Sequence, residues 1–467
     1  MRAVPSNRLI WLAAIVAIPA FTVIVYDGGV WRLVGILRLL AATVLSNLDS
    51  YLSRGALAAV TCEAADLVRG TKGRDLSFPV TFSNAGGPLS EIRHSLSAST
   101  AYRINGEVIR TIPSLDSGKQ ISVTYPLIPL QRGRFFIESI HIETRSLLGL
   151  WLMRRGYDLN VEMRIYPDLS IERKRLSSLF LMRGLEGSHL VRQVGKGRDF
   201  EQLREYQPGD NYTDIDWKAT ARRQAPVTRT YQIEKTQEVY VVVDHSRLSG
   251  REIRVPVGET VGEDWDYAES SAGGEYLVTT QLEKFLHCSL VLASVAQRQG
   301  DLFGFVSFAD KVDRFIRGRS GKDHYNIVRD ALYTLEPERV APDFEQLMIS
   351  LRQRLTRRAL IVMLVDLSDP LTAKNFFEAL PVINRQHLVL VNMVRPEKSA
   401  PLFNAASIPE NVDDVYDHLG GHFQWQELRE IGNQLRHLGV ELGIPDHEEL
   451  CTETVTQYLN VKNRQLI

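Results

Sequence analysis

The chain has 467 residues, more than one hydrophobic core accommodates, so two or three domains are expected. Its 55 Lys and Arg offset 56 Asp and Glu, a formal net charge of −1, which excludes a global electrostatic pull towards nucleic acid. A hydrophobic share of 44% marks a folding chain, and three cysteines, Cys62, Cys288 and Cys451, are too scattered for a disulfide framework or a zinc site.

Leu9 to Val25 is an uninterrupted uncharged run, close to the roughly 20 residues a helix needs to cross a bilayer. Asp27-Gly28-Gly29 makes a polar turn, and a second apolar stretch, Val30 to Leu45, carries Arg32 and Arg38. Arg38 is costly at mid-membrane, so this second stretch either spans as a short helix or lies in the interface. A cleaved signal peptide is the competing reading, but no small-x-small site follows the first run cleanly. The expectation is a membrane anchor over residues 1–54. Arg2, Arg8 and Arg54 flank the two segments, which puts both flanks in the cytoplasm.

Residues 55–167 change character. Alternation over Leu76–Phe82, Gln120–Tyr125 and Ile137–Glu143, with turns at Asn84-Ala85-Gly86-Gly87 and Ser117-Gly118, predicts a small β-sandwich. No acid, base and nucleophile stand together in it. Residues 168–235 read as a linker and a polar segment. Ile171 to Arg183 forms either a helix that returns along the membrane surface or a solvated helix with one apolar face. Glu201–Tyr206 is open between helix and strand. Pro208-Gly209-Asp210 is a turn, and Lys218–Arg222 starts a helix behind Asp214, Asp216 and Trp217. Interleaved acids and bases here suit either internal salt bridges towards the next domain or a surface that docks a partner.

Residues 236–398 alternate strand and helix. Glu238–Val243 is a continuous apolar run that ends in Asp244-His245-Ser246; Asp301–Phe308, Ala359–Val365 and His387–Val394 follow as strands. Helices are expected over Gln281–Gln299, His324–Leu335, Phe344–Leu355 and Ala373–Ile383. The pattern predicts an α/β domain on a doubly wound parallel sheet. Residues 251–279, rich in glycine and acids, read as an inserted solvated loop. Residues 399–467 read as a helical tail.

Arg204-Glu205-Tyr206, Pro208-Gly209-Asp210, Asp214-Ile215-Asp216-Trp217-Lys218-Ala219 and Asp244-x-Ser246-Arg247 stand in a fixed order. In this order they resemble the bacterial family called domain of unknown function 58. Arg132-Gly133-Arg134-Phe135 and Leu148-Gly149-Leu150-Trp151 match two further segments of it. The resemblance implies a membrane-anchored protein with a von Willebrand factor A-like domain that works with a MoxR-type AAA+ ATPase on a membrane or envelope protein client. It also implies a metal-ion-dependent adhesion site for Mg2+ or Mn2+, built on Asp244, Ser246, Asp343 and Asp366. This chain departs from the D-x-S-x-S pattern at Leu248, with Ser249 one residue late, and has Asp343, equally a ligand or a helix N-cap, where a Thr is usual; Asp369 is near enough to Asp366 to substitute for it. Arg204, Glu205, Tyr206, Asp210, Asp214, Asp216, Trp217 and Lys218 are the candidate partner or interdomain residues. The function expected is binding, not catalysis. A metal-dependent hydrolase is the alternative, with His245 the one histidine at hand but turned from Asp244 by strand alternation, and a scaffold without metal is the third reading.

Overall fold

The computed structural model describes residues 2–26, 29–182, 194–195, 199–208, 210–232, 237–256, 269–271, 274–402 and 411–464. The chain divides into two compact units, Met1–Asp168 and Leu169–Ile467.

The first unit opens with β1 (Arg2–Pro5), α1 (Asn7–Tyr26) and α2 (Val30–Ser53). Both helices are long and apolar enough to cross a membrane, and most of their surface is bare. They pack on one another where Gly35 leaves room: a Cβ there would stand 3.1 Å from the Ala20 carbonyl oxygen and from Ile24. Nine strands follow: β2 (Val60–Ala64), β3 (Leu67–Thr71), β4 (Leu76–Asn84), β5 (Leu89–Leu96), β6 (Tyr102–Ile104), β7 (Arg110–Leu115), β8 (Gln120–Pro129), β9 (Gly133–Arg145) and β10 (Trp151–Tyr166). One sheet runs β1-β10-β9-β5-β7 with β3 on β10, the other β2-β4-β8-β6. Alternate residues of both, among them Phe78, Val80, Phe82, Tyr125, Ile140, Ile142 and Met163, close on one apolar core. The Asn84 turn is held by its own side chain, whose amide donates to the Gly87 and Leu115 carbonyls.

Strand β1 pairs with β10 from Arg2 opposite Arg154 to Pro5 opposite Trp151. The chain therefore enters α1 from the sandwich and leaves α2 into the sandwich, and the helix pair is a hairpin with both feet on one body. The α2 foot is gripped by the Gly149 turn. Asp49 is buried and accepts from the Leu148 and Leu150 amides at 2.9 and 3.3 Å and from the Ser146 hydroxyl; Trp151 Nε1 donates to the Ser46 carbonyl. Gly149 sits at φ +73°, a left-handed conformation that glycine adopts without strain.

The second unit begins with α3 (Ser170–Met182), which fits the solvated helix with one apolar face: Arg173, Lys174 and Ser177 are exposed while Leu176 lies in the core, Glu172 meets His287 at 2.9 Å and Arg175 meets Glu448 at 2.8 Å. Then come β11 (Val194–Gly195), β12 (Asp199–Glu205), α4 (Trp217–Arg223) and β13 (Val227–Gln232), with the strands in the order β11-β13-β12. The stretch left open between helix and strand is therefore strand. Gly209 of the expected turn lies outside the described residues.

The main elements are β14 (Glu238–Asp244), β15 (Glu252–Pro256), β16 (Glu269–Ser271), β17 (Gly274–Thr280), α5 (Gln281–Arg298), β18 (Leu302–Phe308), β19 (Val312–Arg319), α6 (Lys322–Leu332), α7 (Phe344–Arg354), β20 (Leu360–Leu364), α8 (Pro370–Ala379), α9 (Pro381–Asn384), β21 (Leu388–Asn392), α10 (Val412–His437), β22 (Glu441–Gly443) and α11 (Leu450–Asn463). The central sheet has the order β19-β18-β14-β20-β21-β22, parallel throughout except for the antiparallel edge β19. Val239, Val241 and Val243 face one helical layer with α3, α5, α6 and α11, while Tyr240 and Val242 face the other with α7, α8, α9 and α10.

Three expectations change. Residues 251–279 are not simply a solvated loop: β15, β17 and β16 form an antiparallel sheet, because Glu252-Ile253-Arg254-Val255 alternates and buries Ile253. Residues 257–268 and 272–273 lie outside the described residues. Residues 399–467 are not an appended tail, since β22 joins the sheet and Leu450, Val455 and Tyr458 of α11 fill its core. The helix expected over Ala373–Ile383 is split before Pro381, whose ring cannot continue the hydrogen-bond ladder.

Candidate functional site at the carboxyl edge of the central sheet

Strand β14 is the middle of the sheet, and the chain leaves it towards β18 on one side while β20 passes on to β21 on the other. Such a reversal of strand order opens a crevice at the carboxyl ends, the usual ligand position in open α/β sheets. Asp244 closes β14 and Asp366 follows β20, so one acid stands on each side of the crevice.

Asp244 is fully buried. Its Oδ1 accepts from the Ser246 amide at 2.8 Å, but Oδ2 has no partner, and neither has the buried Ser246 hydroxyl. Burial pushes the Asp244 carboxyl up to about 7, against the Ser246 amide hydrogen bond that lowers it, with the Asp366 charge adding to the rise. Asp366 is also buried and repeats the local geometry: its Oδ1 accepts from the Ser368 amide at 2.8 Å. Arg251 Nη1 stands 3.7 Å from Asp366 Oδ2, a cation at the mouth of the crevice. A hard oxygen-seeking cation fits this donor set, because it would satisfy two buried oxygens that nothing in the protein satisfies.

The remaining expected ligands are not brought in. Ser249 is buried, but its hydroxyl donates to the Ser246 carbonyl at 2.8 Å and is spent on the turn. Asp343 is corrected from a convergent ligand to a helix cap: it is exposed, and its carboxylate accepts from the Gln346 amide at the start of α7. Asp369 caps α8 in the same way, through the amide and hydroxyl of Thr372.

The polar segment closes mainly on itself. Arg204 meets Asp210 at 2.6 Å and Arg229 meets Asp216 at 2.9 Å. Asp210 is held below the ordinary carboxylate range by the Gln207 amide and then by Arg204; Asp216 is held down by the Ala219 amide and then by Arg229. Asp216 caps α4, and Asp214 ends the single turn Tyr212–Asp214. Tyr206 stacks on Tyr212 with ring centroids 5.9 Å apart. What this scaffold leaves outside is Glu205, Trp217 and Lys218; Trp217 is 69% exposed and Tyr212 74%.

One cluster escaped the sequence. His245 is buried, and its Nε2 lies 2.6 Å from Asp313 Oδ2 and 3.6 Å from Glu338 Oε1. It faces β19 and not Asp244, as strand alternation requires. The 2.6 Å contact ties Nε2 to Asp313, while the buried Nδ1 has no hydrogen-bond partner among the described residues. Asp313 and Glu338 are distant in the chain, and no spacing could have paired them with His245.

The chain is 24% identical over 126 residues to the uncharacterized protein YeaD of Bacillus subtilis (strain 168), an alignment covering 27% of this chain and 31% of that protein. It is 26% identical over 208 residues to the uncharacterized protein Rv1480 of Mycobacterium tuberculosis (strain ATCC 25618 / H37Rv), covering 44% of this chain and 57% of that one. It thus spans less than two thirds of the length of either relative. Among solved structures it is similar to the conserved hypothetical protein BatB from Bacteroides thetaiotaomicron, with 13% identity, 49% of this chain and 99% of that chain covered, and a TM-score of 0.27. The family described as Protein of unknown function DUF58 matches residues 202–253 and 247–405, which hold the polar segment and the Asp244 edge.

Proposed function

We propose that this chain is a membrane-anchored protein-binding and assembly factor whose von Willebrand A-like sheet edge takes a divalent cation. The observation that carries the reading is the pair of buried, unpartnered oxygens, Asp244 Oδ2 and Ser246 Oγ, beside Asp366. Asp244, Ser246 and Asp366 would hold Mg2+ or Mn2+, and the cation would offer a partner carboxylate a positive charge at a shaped edge. Arg251 would govern access, since its guanidinium stands where that incoming charge would compete. The exposed Trp217, Lys218 and Glu205 would give a second docking surface, suited to a MoxR-type AAA+ ATPase. The two apolar helices would anchor the chain in the inner membrane, with the body in the cytoplasm beside a membrane or envelope protein client. Binding is favoured over hydrolysis because His245 turns its Nε2 to Asp313 and Glu338, away from the Asp244 edge.

The test is a thermal titration of the full chain in detergent with Mg2+ and Mn2+, alongside Asp244→Asn and Asp366→Asn. A cation that binds only the folded state raises the midpoint, by ~2.7 kcal/mol of stability at a hundred times Kd. A rise in wild type that both substitutions abolish is the expected outcome. No rise at millimolar cation would leave the edge without a metal function.

A further inference from the structure

At the feet of α1 and α2 the first unit contains a cavity of about 1090 Å3. Strand β1, the first turn of α1 and the outer faces of β5, β9 and β10 line it. Six arginines face it, Arg2, Arg8, Arg93, Arg145, Arg154 and Arg155, against one lining carboxylate, Glu143. Glu143 is taken by Arg154 at 2.5 Å and by Arg93 at 3.8 Å. Arg93 and Arg145 also turn to Glu91, at 3.0 and 2.8 Å. Arg155 donates to the Leu57 and Ala58 carbonyls and lies over the Tyr157 ring. Arg2 and Arg8 have no hydrogen-bond or carboxylate partner among the described residues. His94 adds no charge at neutral pH, because burial, and then Arg110, pushes it down to about 4.

Six guanidinium groups around one space with two carboxylates between them repel, unless an anion shares the space. Position says which anion. α1 begins at the cavity wall with Asn7, and Ile10 and Trp11, one turn on, are 59% and 68% exposed. In the turn that grips the α2 foot the bare apolar pair Leu147 and Leu148 is 78% and 51% exposed. A cavity that is cationic inside and apolar at its rim matches a molecule with both characters. We propose that it binds the headgroup phosphate of an anionic phospholipid, with the acyl chains against the exposed face of α1. Arginine forks pair with phosphate bidentately, and basic pockets beside membrane helices hold anionic headgroups by this chemistry. The inference rests on the reading of α1 and α2 as membrane-embedded.

The full chain in neutral detergent, with phosphatidylglycerol or phosphatidylcholine of the same acyl chains added, tests it by native mass spectrometry. Retention of phosphatidylglycerol about tenfold tighter than phosphatidylcholine is expected. Arg2→Gln together with Arg8→Gln should remove most of that preference at an unchanged melting temperature, because neither side chain has an internal partner to lose. Glu143→Gln should move the opposite way and tighten phosphatidylglycerol, by freeing Arg154 and Arg93. Equal retention of the two lipids, or full preference in the double variant, overturns the proposal. Inorganic phosphate displacing the lipid at equal concentration overturns it as well and gives the cavity to a free small anion. Carbonate extraction separates the two readings: release of the chain from membranes overturns the anchor, whereas an embedded chain without lipid preference overturns the headgroup site alone.

Discussion

Asp244 is a carboxyl group whose folded environment favours the proton, the reverse of a salt-bridged aspartate. Unfolded, it titrates at about 3.9; folded, burial carries it to about 7. Between those values the folded state holds the extra proton, so this group's contribution to stability is present below the unfolded pKa and is lost as pH rises towards about 7. Without divalent cations, the wild-type melting temperature should therefore fall relative to Asp244→Asn across that window and run parallel to it above. Cation binding needs the bare carboxylate, so Mg2+ affinity should rise about tenfold per pH unit up to about 7 and then level off. Isothermal titration at three pH values reads this directly, and an affinity indifferent to pH would remove Asp244 from the ligand set.

At the scale of elements, the sequence was clear where period and position agree. The strand Glu238–Asp244, the helices α5 and α7 and the three expected strands of the sandwich were legible, because apolar period and turn chemistry both speak there. The candidate edge was half legible. An apolar run that stops at Asp-x-Ser places Asp244 and Ser246 whatever follows, but Asp343 looks the same as ligand or as cap until its neighbours are known. Its carboxylate on the Gln346 amide makes it a cap. Asp343→Ala should cost about 1 kcal/mol of stability and leave any Mg2+ shift intact; loss of that shift would return Asp343 to the site. The Leu148-Gly149-Leu150-Trp151 segment was visible as a pattern and mute as to purpose, because its partner Asp49 lies on the other side of the sandwich sequence. With its carboxylate carrying two backbone amides and a hydroxyl, Asp49→Ala should destabilise the first unit by about 1–3 kcal/mol, measurable by thermal denaturation of the detergent-solubilised chain. An unchanged midpoint would mean that the helix foot is held by Trp151 and the surrounding apolar contacts instead.

For the molecule as a whole, the hairpin fixes a relation between distant points. Strand β1 before α1 and strand β2 after α2 both belong to the sandwich unit, so the connection at Gly29 and the exposed loop at Ser99 should face opposite sides of a membrane. In a background with Cys62, Cys288 and Cys451 replaced, Gly29→Cys should react with an impermeant maleimide on intact cells, and Ser99→Cys only after the cells are opened. The converse labelling would invert the proposed orientation; labelling of both from outside would sink the hairpin.

Strand β1 has another consequence, one of timing. Its partner residues, Trp151 to Arg154, leave the ribosome only after the rest of the sandwich strands have been made. At a synthesis rate of roughly 5–20 residues per second, the four residues of β1 wait about 7 to 30 seconds, with both apolar helices already made, before their place in the sheet exists. The sandwich is thus completed by a strand made long before its partner, and a bulky group fused just ahead of Arg2 would be felt at that step of its folding.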